Sequence, residues 1–170
     1  MRITDKHVFF YRDWLSNYQR TSFEYEVNER MITFSSTEQA FMYIKANMFG
    51  DQSVAAQILA TNNPNECRKL GRKVQGYDEK VWDACRYFVF YELNLAKYTQ
   101  DKNLRNKLLD PIFDGKTFVE ASPIDRIWGV GLDENNPLID DPSNWKGKNL
   151  LGNILTKVRQ RLIDEITLDK

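Results

Sequence analysis

The stretch that most constrains this chain is Ser35–Phe49, SSTEQAFMYIKANMF. At about 100° per residue, Phe41 and Met48 fall on one side of an arc, Met42 and Phe49 fall on the other, and Ala40 and Ile44 extend the apolar surface. A helix that is apolar nearly all round is buried. Glu38 and Lys45 interrupt it, within about 20° of each other and roughly 10 Å apart along the axis. Helical side chains lean toward the N-terminus, so the lysine reaches back toward the acid. Burying both groups costs several kcal/mol unless they are paired, and the arrangement predicts a catalytic pair in a pocket. Two structural alternatives stand beside it. Ser35-x-x-Glu38 and Ser36-x-x-Gln39 both fit a capping box, which would use Glu38 merely as a cap, and Lys45 could extend past its apolar neighbours to water.

The chain of 170 residues suits a single domain over residues 1–170 with one core. Its 24 basic and 24 acidic residues cancel, which disfavours tight binding along a duplex while allowing local contact to one nucleotide. No apolar run reaches the length of a membrane span and the first residues lack a signal-peptide pattern, so no membrane partner is expected. Cys67 and Cys85 have no framework spacing, which points to a reducing, cytoplasmic location. The single histidine, His7, sits in a strand pattern, and neither a metal nor another cofactor is expected.

Val8–Tyr11, Phe23–Val27 and Met31–Phe34 read as short strands, with a hairpin turn at Asn28-Glu29-Arg30. Helices follow over Ser35–Phe49, Asp51–Ala60, Asn65–Val74, Asp78–Tyr98, Asp101–Leu109 and Lys148–Glu165, with a brief strand at Phe118-Val119. In Asp78–Tyr98 the expected buried stripe is Val81, Trp82, Cys85, Val89, Leu93 and Ala96. The fold class is α+β, mainly α, with a small N-terminal antiparallel sheet packed on a helical core.

Two further clusters carry candidate chemistry. In Phe118–Leu132, FVEASPIDRIWGVGL, the acids Glu120 and Asp125 precede Trp128-Gly129. Carboxylates orient water or stabilise an oxocarbenium ion, and an indole face stacks on a base. Bonds from the acids to turn amides, with Trp128 in the core, are the structural alternative. In Trp145–Gly152, Lys146, Gly147, Lys148 and Asn149 open a helix whose free amides suit a phosphate, with Arg72 as a second anchor. Alternatively Asn149 caps that helix and Gly152 allows close packing. Taken alone, Leu15-Ser16-Asn17-Tyr18 is a polar loop, Arg72 a surface cation and Trp82 a core residue.

Together and in this order, FFYR…LSNY (Phe9–Tyr18), SSTEQAFMYIKA (Ser35–Ala46), LGRKV (Leu70–Val74), Trp82, VEASPIDRIWGVGL (Val119–Leu132) and WKGKNLLGNIL…VR (Trp145–Arg159) resemble the NADAR family of YbiA-like N-glycosidases. The resemblance implies a small, mainly helical domain that cleaves an N-glycosidic bond to ribose without a cofactor. It places Glu38, Lys45, Trp82, Glu120, Asp125 and Trp128 at pocket positions, with Ser16 and Asn17 among the substrate-binding residues. Family activities remove ADP-ribose from guanine bases in DNA or RNA, or act on related NAD derivatives. Others hydrolyse phosphoribosylamino-pyrimidine intermediates of riboflavin synthesis. The expected partner is therefore an ADP-ribose or ribosyl-phosphate substrate, and the expected state a monomer. A non-catalytic ADP-ribose-binding module and a structural protein with a filled pocket are the rival classes. Asp133–Asn144 is an acidic, proline-containing loop where shorter family members have a compact glycine-rich turn.

Overall fold

A computed structural model describes residues 1–168. The chain divides into two compact units, Asn17–Lys102 and a second assembled from Met1–Ser16 with the chain from Asn103 onward.

The first unit holds an antiparallel hairpin, β3 (Phe23–Val27) and β4 (Arg30–Phe34), and helices α1 (Thr37–Met48), α2 (Gln52–Leu59), α3 (Pro64–Gly71) and α4 (Glu79–Gln100). Val27 pairs with Arg30 across Asn28 and Glu29, both at positive φ (51° and 62°), the backbone that a two-residue hairpin requires. Aspartate and asparagine side chains start the helices: Asp51 accepts from Val54 N, Asn63 from Asn65 N and Glu66 N, and Asp78 from Lys80 N and Val81 N. Helix α1 is the hub, packing on α2, α3 and α4. Phe41 stacks on Phe90 and leans on Trp82 in the core.

The buried face of α4 differs from the expected stripe. Val81 is exposed, and the buried residues are Trp82, Phe90, Leu93, Asn94, Lys97 and Tyr98. Trp82 and Leu93 are buried as expected, but the buried face is rotated from the stripe and takes in two strongly polar side chains, Asn94 and Lys97.

In the other unit, β1 (Arg2–Ile3) pairs antiparallel with β2 (His7–Phe10), and β2 pairs in parallel with β5 (Thr117–Glu120), Phe9 opposite Val119. The strand at Val8 therefore leaves the hairpin for a partner more than a hundred residues later. Val8, Phe9 and Phe10 are all buried, as befits a strand covered on both faces. Helix α5 spans Lys102–Leu108, and the last helix, α6 (Leu150–Leu168), packs on β5. Gly152 permits this, because a Cβ there would strike the Phe118 carbonyl and the Asn149 side chain.

The acidic loop 133–144 folds into two short 3-10 turns, Pro137–Asp140 and Pro142–Asn144. Arg2 bonds to Glu134 O and to Asp140, Trp145 Nε1 donates to Ile139 O at 2.8 Å, and Ile139 is buried.

Candidate active site

Helix α1 presents Glu38 and Lys45, and the local bonding bears on both structural alternatives. Ser36 is the N-cap, accepting from Gln39 N at 3.1 Å, while Gln39 Oε1 accepts from Ser35 N at 2.8 Å. Ser36 and Gln39 therefore make the cap, and it is the Gln39 side chain, in place of Glu38, that accepts from the Ser35 N–H. The Glu38 carboxyl is buried at the start of the helix, and the Glu38 backbone N–H donates to Asn17 O at 3.0 Å.

Lys45 is half-buried and turns toward the protein. Its Nζ donates to Gly71 O at 2.9 Å and lies 4.4 Å from the Tyr77 ring centroid and 5.9 Å from that of Trp82. Burial lowers its pKa and the Arg72 charge lowers it further, against the raising influence of Glu38. Glycine at 71 leaves room for the Met42 side chain, which a Cβ there would meet where α3 packs on α1. Phe49 contacts both Tyr77 and Trp82 edge-on, completing an aromatic wall around the amine.

Arg72 is exposed and caps the C-terminal end of α3, one residue beyond the carbonyl that holds Lys45. Arg68, one turn earlier, lies 3.4 Å from Tyr18 Oη. Burial raises the Tyr18 pKa, and Arg68 opposes it. Two guanidinium groups and an amine thus share the neighbourhood of one buried carboxyl, a charge balance suited to an anionic ligand.

Asn17 is buried and structural. Its Oδ1 accepts from Asn94 Nδ2 at 3.3 Å while its carbonyl takes the Glu38 amide. Trp82 is likewise nearly buried, so it forms a wall and offers no open stacking face.

The second unit carries the remaining sequence-derived residues. Ser16 is half-buried, its N–H donating to Asp13 O. Glu120 ends β5, with its N–H donating to Asn149 Oδ1 at 2.9 Å. Asp125 Oδ1 accepts from Ile127 N and Trp128 N at 2.9 and 2.8 Å, the turn-capping bonds weighed against a catalytic use. Trp128 is half-buried beside Gly129, where a Cβ would crowd Glu120 O and Ser122.

At the start of α6 the amides expected to be free are engaged. Lys148, Asn149, Leu150 and Leu151 N–H groups donate to the carbonyls of Arg126, Gly129, Ile127 and Trp128. Asn149, buried at φ 52°, spans two backbone groups of β5, accepting from Glu120 N and donating to Phe118 O at 3.0 Å. Gly147 is fitted against Gly129 O and Arg126, where a Cβ has no room. The exposed side chains of Lys146 and Lys148 remain available to an anion.

Sequence reasoning did not single out Tyr77, Arg68, Asn94 or Lys97. Tyr77 follows Gly76 (φ 72°) in a loop and belongs to no periodic pattern, whereas the RKLGRK run at the end of α3 holds a cluster of cations that could have pointed to Arg68.

Residues 4–163 match the model of the NADAR domain family. The chain is 40% identical over 139 residues to the protein irg-1 of Caenorhabditis elegans, covering 81% of this chain and 65% of that protein. It is 34% identical over 170 residues to N-glycosidase R617 of Acanthamoeba polyphaga mimivirus, covering 92% and 96% respectively. The fold is similar to the NMR structure of the E. coli protein YbiA, with a TM-score of 0.73 at 25% identity, over 98% of this chain and 90% of that one. The chain belongs to the NADAR domain family.

Proposed function

We propose that this member of the NADAR domain family is an N-glycosidase that breaks the C–N bond between a ribose and a base, with Lys45 as nucleophile and Glu38 as acid and base. The observation that carries the reading is Lys45 itself. Its amine donates to Gly71 O at 2.9 Å from a half-buried site, where burial and the Arg72 charge both lower its pKa, toward the neutral form that attack requires. The similarity to a protein named N-glycosidase over 92% of the chain supports the same reaction class.

Glu38 opposes deprotonation of Lys45 while it is ionised. The two requirements meet when the pair shares one proton, carried by Glu38, with the amine neutral. The Lys45 lone pair then forms a bond to the anomeric carbon as the C–N bond to the base breaks, and Glu38 gives its proton to the departing nitrogen. Glu38, now a carboxylate, removes a proton from the new C–N⁺ group. The ring C–O bond opens to an iminium on Lys45, its oxygen taking up a proton. Water adds to the iminium carbon and expels the amine, leaving free ribose product and the starting enzyme. Direct attack by water activated at Glu120 or Asp125 is the competing route.

The substrate class we assign is an ADP-ribosyl group on guanine, in nucleic acid or in a related NAD derivative. Its phosphates fit cationic side chains better than helix amides: Arg72, with Lys146 and Lys148 as further candidates, since the amides of residues 148–151 are spent on backbone carbonyls. A net charge of zero fits a local nucleotide contact. Incubation with ADP-ribosylated guanosine and, separately, with a phosphoribosylamino-pyrimidine, followed by mass spectrometry, tests this. Unmodified guanosine with ADP-ribose is the expected product pair. Cleavage of the pyrimidine alone would reassign the substrate, and binding of either compound without cleavage would leave a ligand-binding module.

A further inference from the structure

Helix α4 buries two polar side chains that the reaction above does not use. Asn94 is fully buried, and although its Nδ2 donates to Phe90 O and Asn17 Oδ1, its Oδ1 has no hydrogen-bond partner among the described residues. One turn on, Lys97 is fully buried, and its Nζ also lacks a hydrogen-bond partner among them. A leucine and a methionine would fill such positions without leaving polar atoms unpaired, so stability alone does not account for this pair.

What the stripe faces gives it a role. Asn94, Lys97 and Asp101 recur at i, i+3 and i+7, on one side of the helix. Along that side runs the loop Asn17–Thr21, held by two rungs. In the first, Asn94 Nδ2 donates to Asn17 Oδ1 at 3.3 Å, and Asn17 O accepts the Glu38 N–H at 3.0 Å. In the second, Thr21 Oγ1 donates to Asp101 Oδ2 at 2.8 Å, and Thr21 N donates to Ser35 O at 3.1 Å. Each rung passes from an α4 side chain through one loop residue to the backbone at or just before the first turn of α1. Both ends of that turn are thereby registered against a long, rigid helix.

We infer that Asn94 and Thr21 are positioning residues for Glu38, which act through the loop Asn17–Thr21 to fix the first turn of α1 and hence the carboxyl it carries. The inference rests on the proposed role of Glu38. The unpaired polar atoms of the stripe are the cost of fixing a catalytic position. Lys97 lies between the rungs, within reach of the Asp101 charge and 4.4 Å from the Tyr98 ring centroid.

Asn94→Leu and Thr21→Val each remove one rung, the second at a half-buried site where the isosteric change is well tolerated. Two readouts are needed: steady-state kinetics, and the titration midpoint of the Glu38 carboxyl followed by carbon-13 NMR and assigned with Glu38→Gln. The expected result for Asn94→Leu is a fall in kcat of about tenfold or more, as small misplacements of catalytic groups produce, with KM changed by less than about threefold. Thr21→Val moves kcat the same way by less, and the Glu38 midpoint shifts in both variants. A shifted midpoint in a protein that cleaves none of the substrates upholds the positioning and rejects the glycosidase reading. A folded variant of either kind with the parent's Glu38 midpoint and kcat overturns the inference. Should Asn94→Leu fail to fold, Thr21→Val alone decides it.

Discussion

Lys45 Nζ donates to the carbonyl of Gly71 at 2.9 Å, so the amine at the end of α1 is held by the end of α3, twenty-six residues away. That bond orients the nitrogen against an aromatic wall at a half-buried site, where burial lowers the pKa of the amine, as a nucleophilic amine needs.

Replacing either member of the pair removes an indispensable part. Lys45→Met and Glu38→Gln are each expected to lower kcat/KM at least about a hundredfold, the scale for nucleophilic and acid–base groups. Lys45→Arg gives no recovery, because a guanidinium is neither neutral nor nucleophilic. Near-parental turnover in a variant with an unchanged circular dichroism spectrum would exclude that residue from the chemistry.

Gly71→Ala tests the support. Its Cβ meets the Met42 side chain, so either that buried side chain repacks or α3 moves away from α1 and takes the Gly71 carbonyl with it. Overpacking of this kind costs about 1–3 kcal/mol. Urea denaturation should show that loss, and activity should fall further than the remaining folded fraction explains. Parental stability and activity together would show that α3 and Met42 adjust without cost.

The pair and its helix were legible in the sequence because α1 is short, local and periodic, and a charge breaking an apolar circumference stands out. The same reasoning was only partly right on α4, where it found Trp82 and Leu93 but not the polar part of the buried face. Asn94 and Lys97 lie on its buried face, yet periodicity assigned that face to Val81, Val89 and Ala96, since an apolar template gives no place to polar residues held by tertiary contacts. The start of α6 was misread for a related reason. A helix N-terminus advertises free amides in any sequence, but the carbonyls of residues 126–129 that consume them arrive from a distant loop. The carbonyl of Gly71 and the ring of Tyr77 were invisible as partners of Lys45 because neither carries a local signal.

The charge of Arg72 is one cause of the lowered Lys45 pKa. Arg72→Gln removes that repulsion, so Lys45 holds its proton to higher pH, and the midpoint of its Nζ resonance moves upward. The acid limb of kcat/KM moves in the same direction. A midpoint indifferent to Arg72→Gln would mean that the two groups do not interact.

Lys97 makes folding depend on pH in a defined sense. Burial lowers its pKa from 10.5 to about 7, partly opposed by Asp101. Between those values the unfolded chain holds the proton and the folded protein releases it, so stability rises with pH across that window, and the full penalty applies below it. Lys97→Met removes the penalty. Its stability advantage over the parent should be greatest near about pH 6 and smaller by about pH 9, as read by denaturation at the two values. An advantage equal at both would show that Lys97 does not titrate differently in the folded and unfolded states.

The covalent step is open to direct capture. Borohydride added while the protein consumes ADP-ribosylated guanosine reduces an iminium to a stable amine. Activity should then be lost, the peptide containing Lys45 should gain the mass of a reduced ADP-ribosyl adduct, and Lys45→Met should gain none. Substrate consumed in the presence of borohydride, with activity and the mass of that peptide unchanged, would contradict the Lys45 mechanism and transfer the reaction to water activated by Glu120 or Asp125.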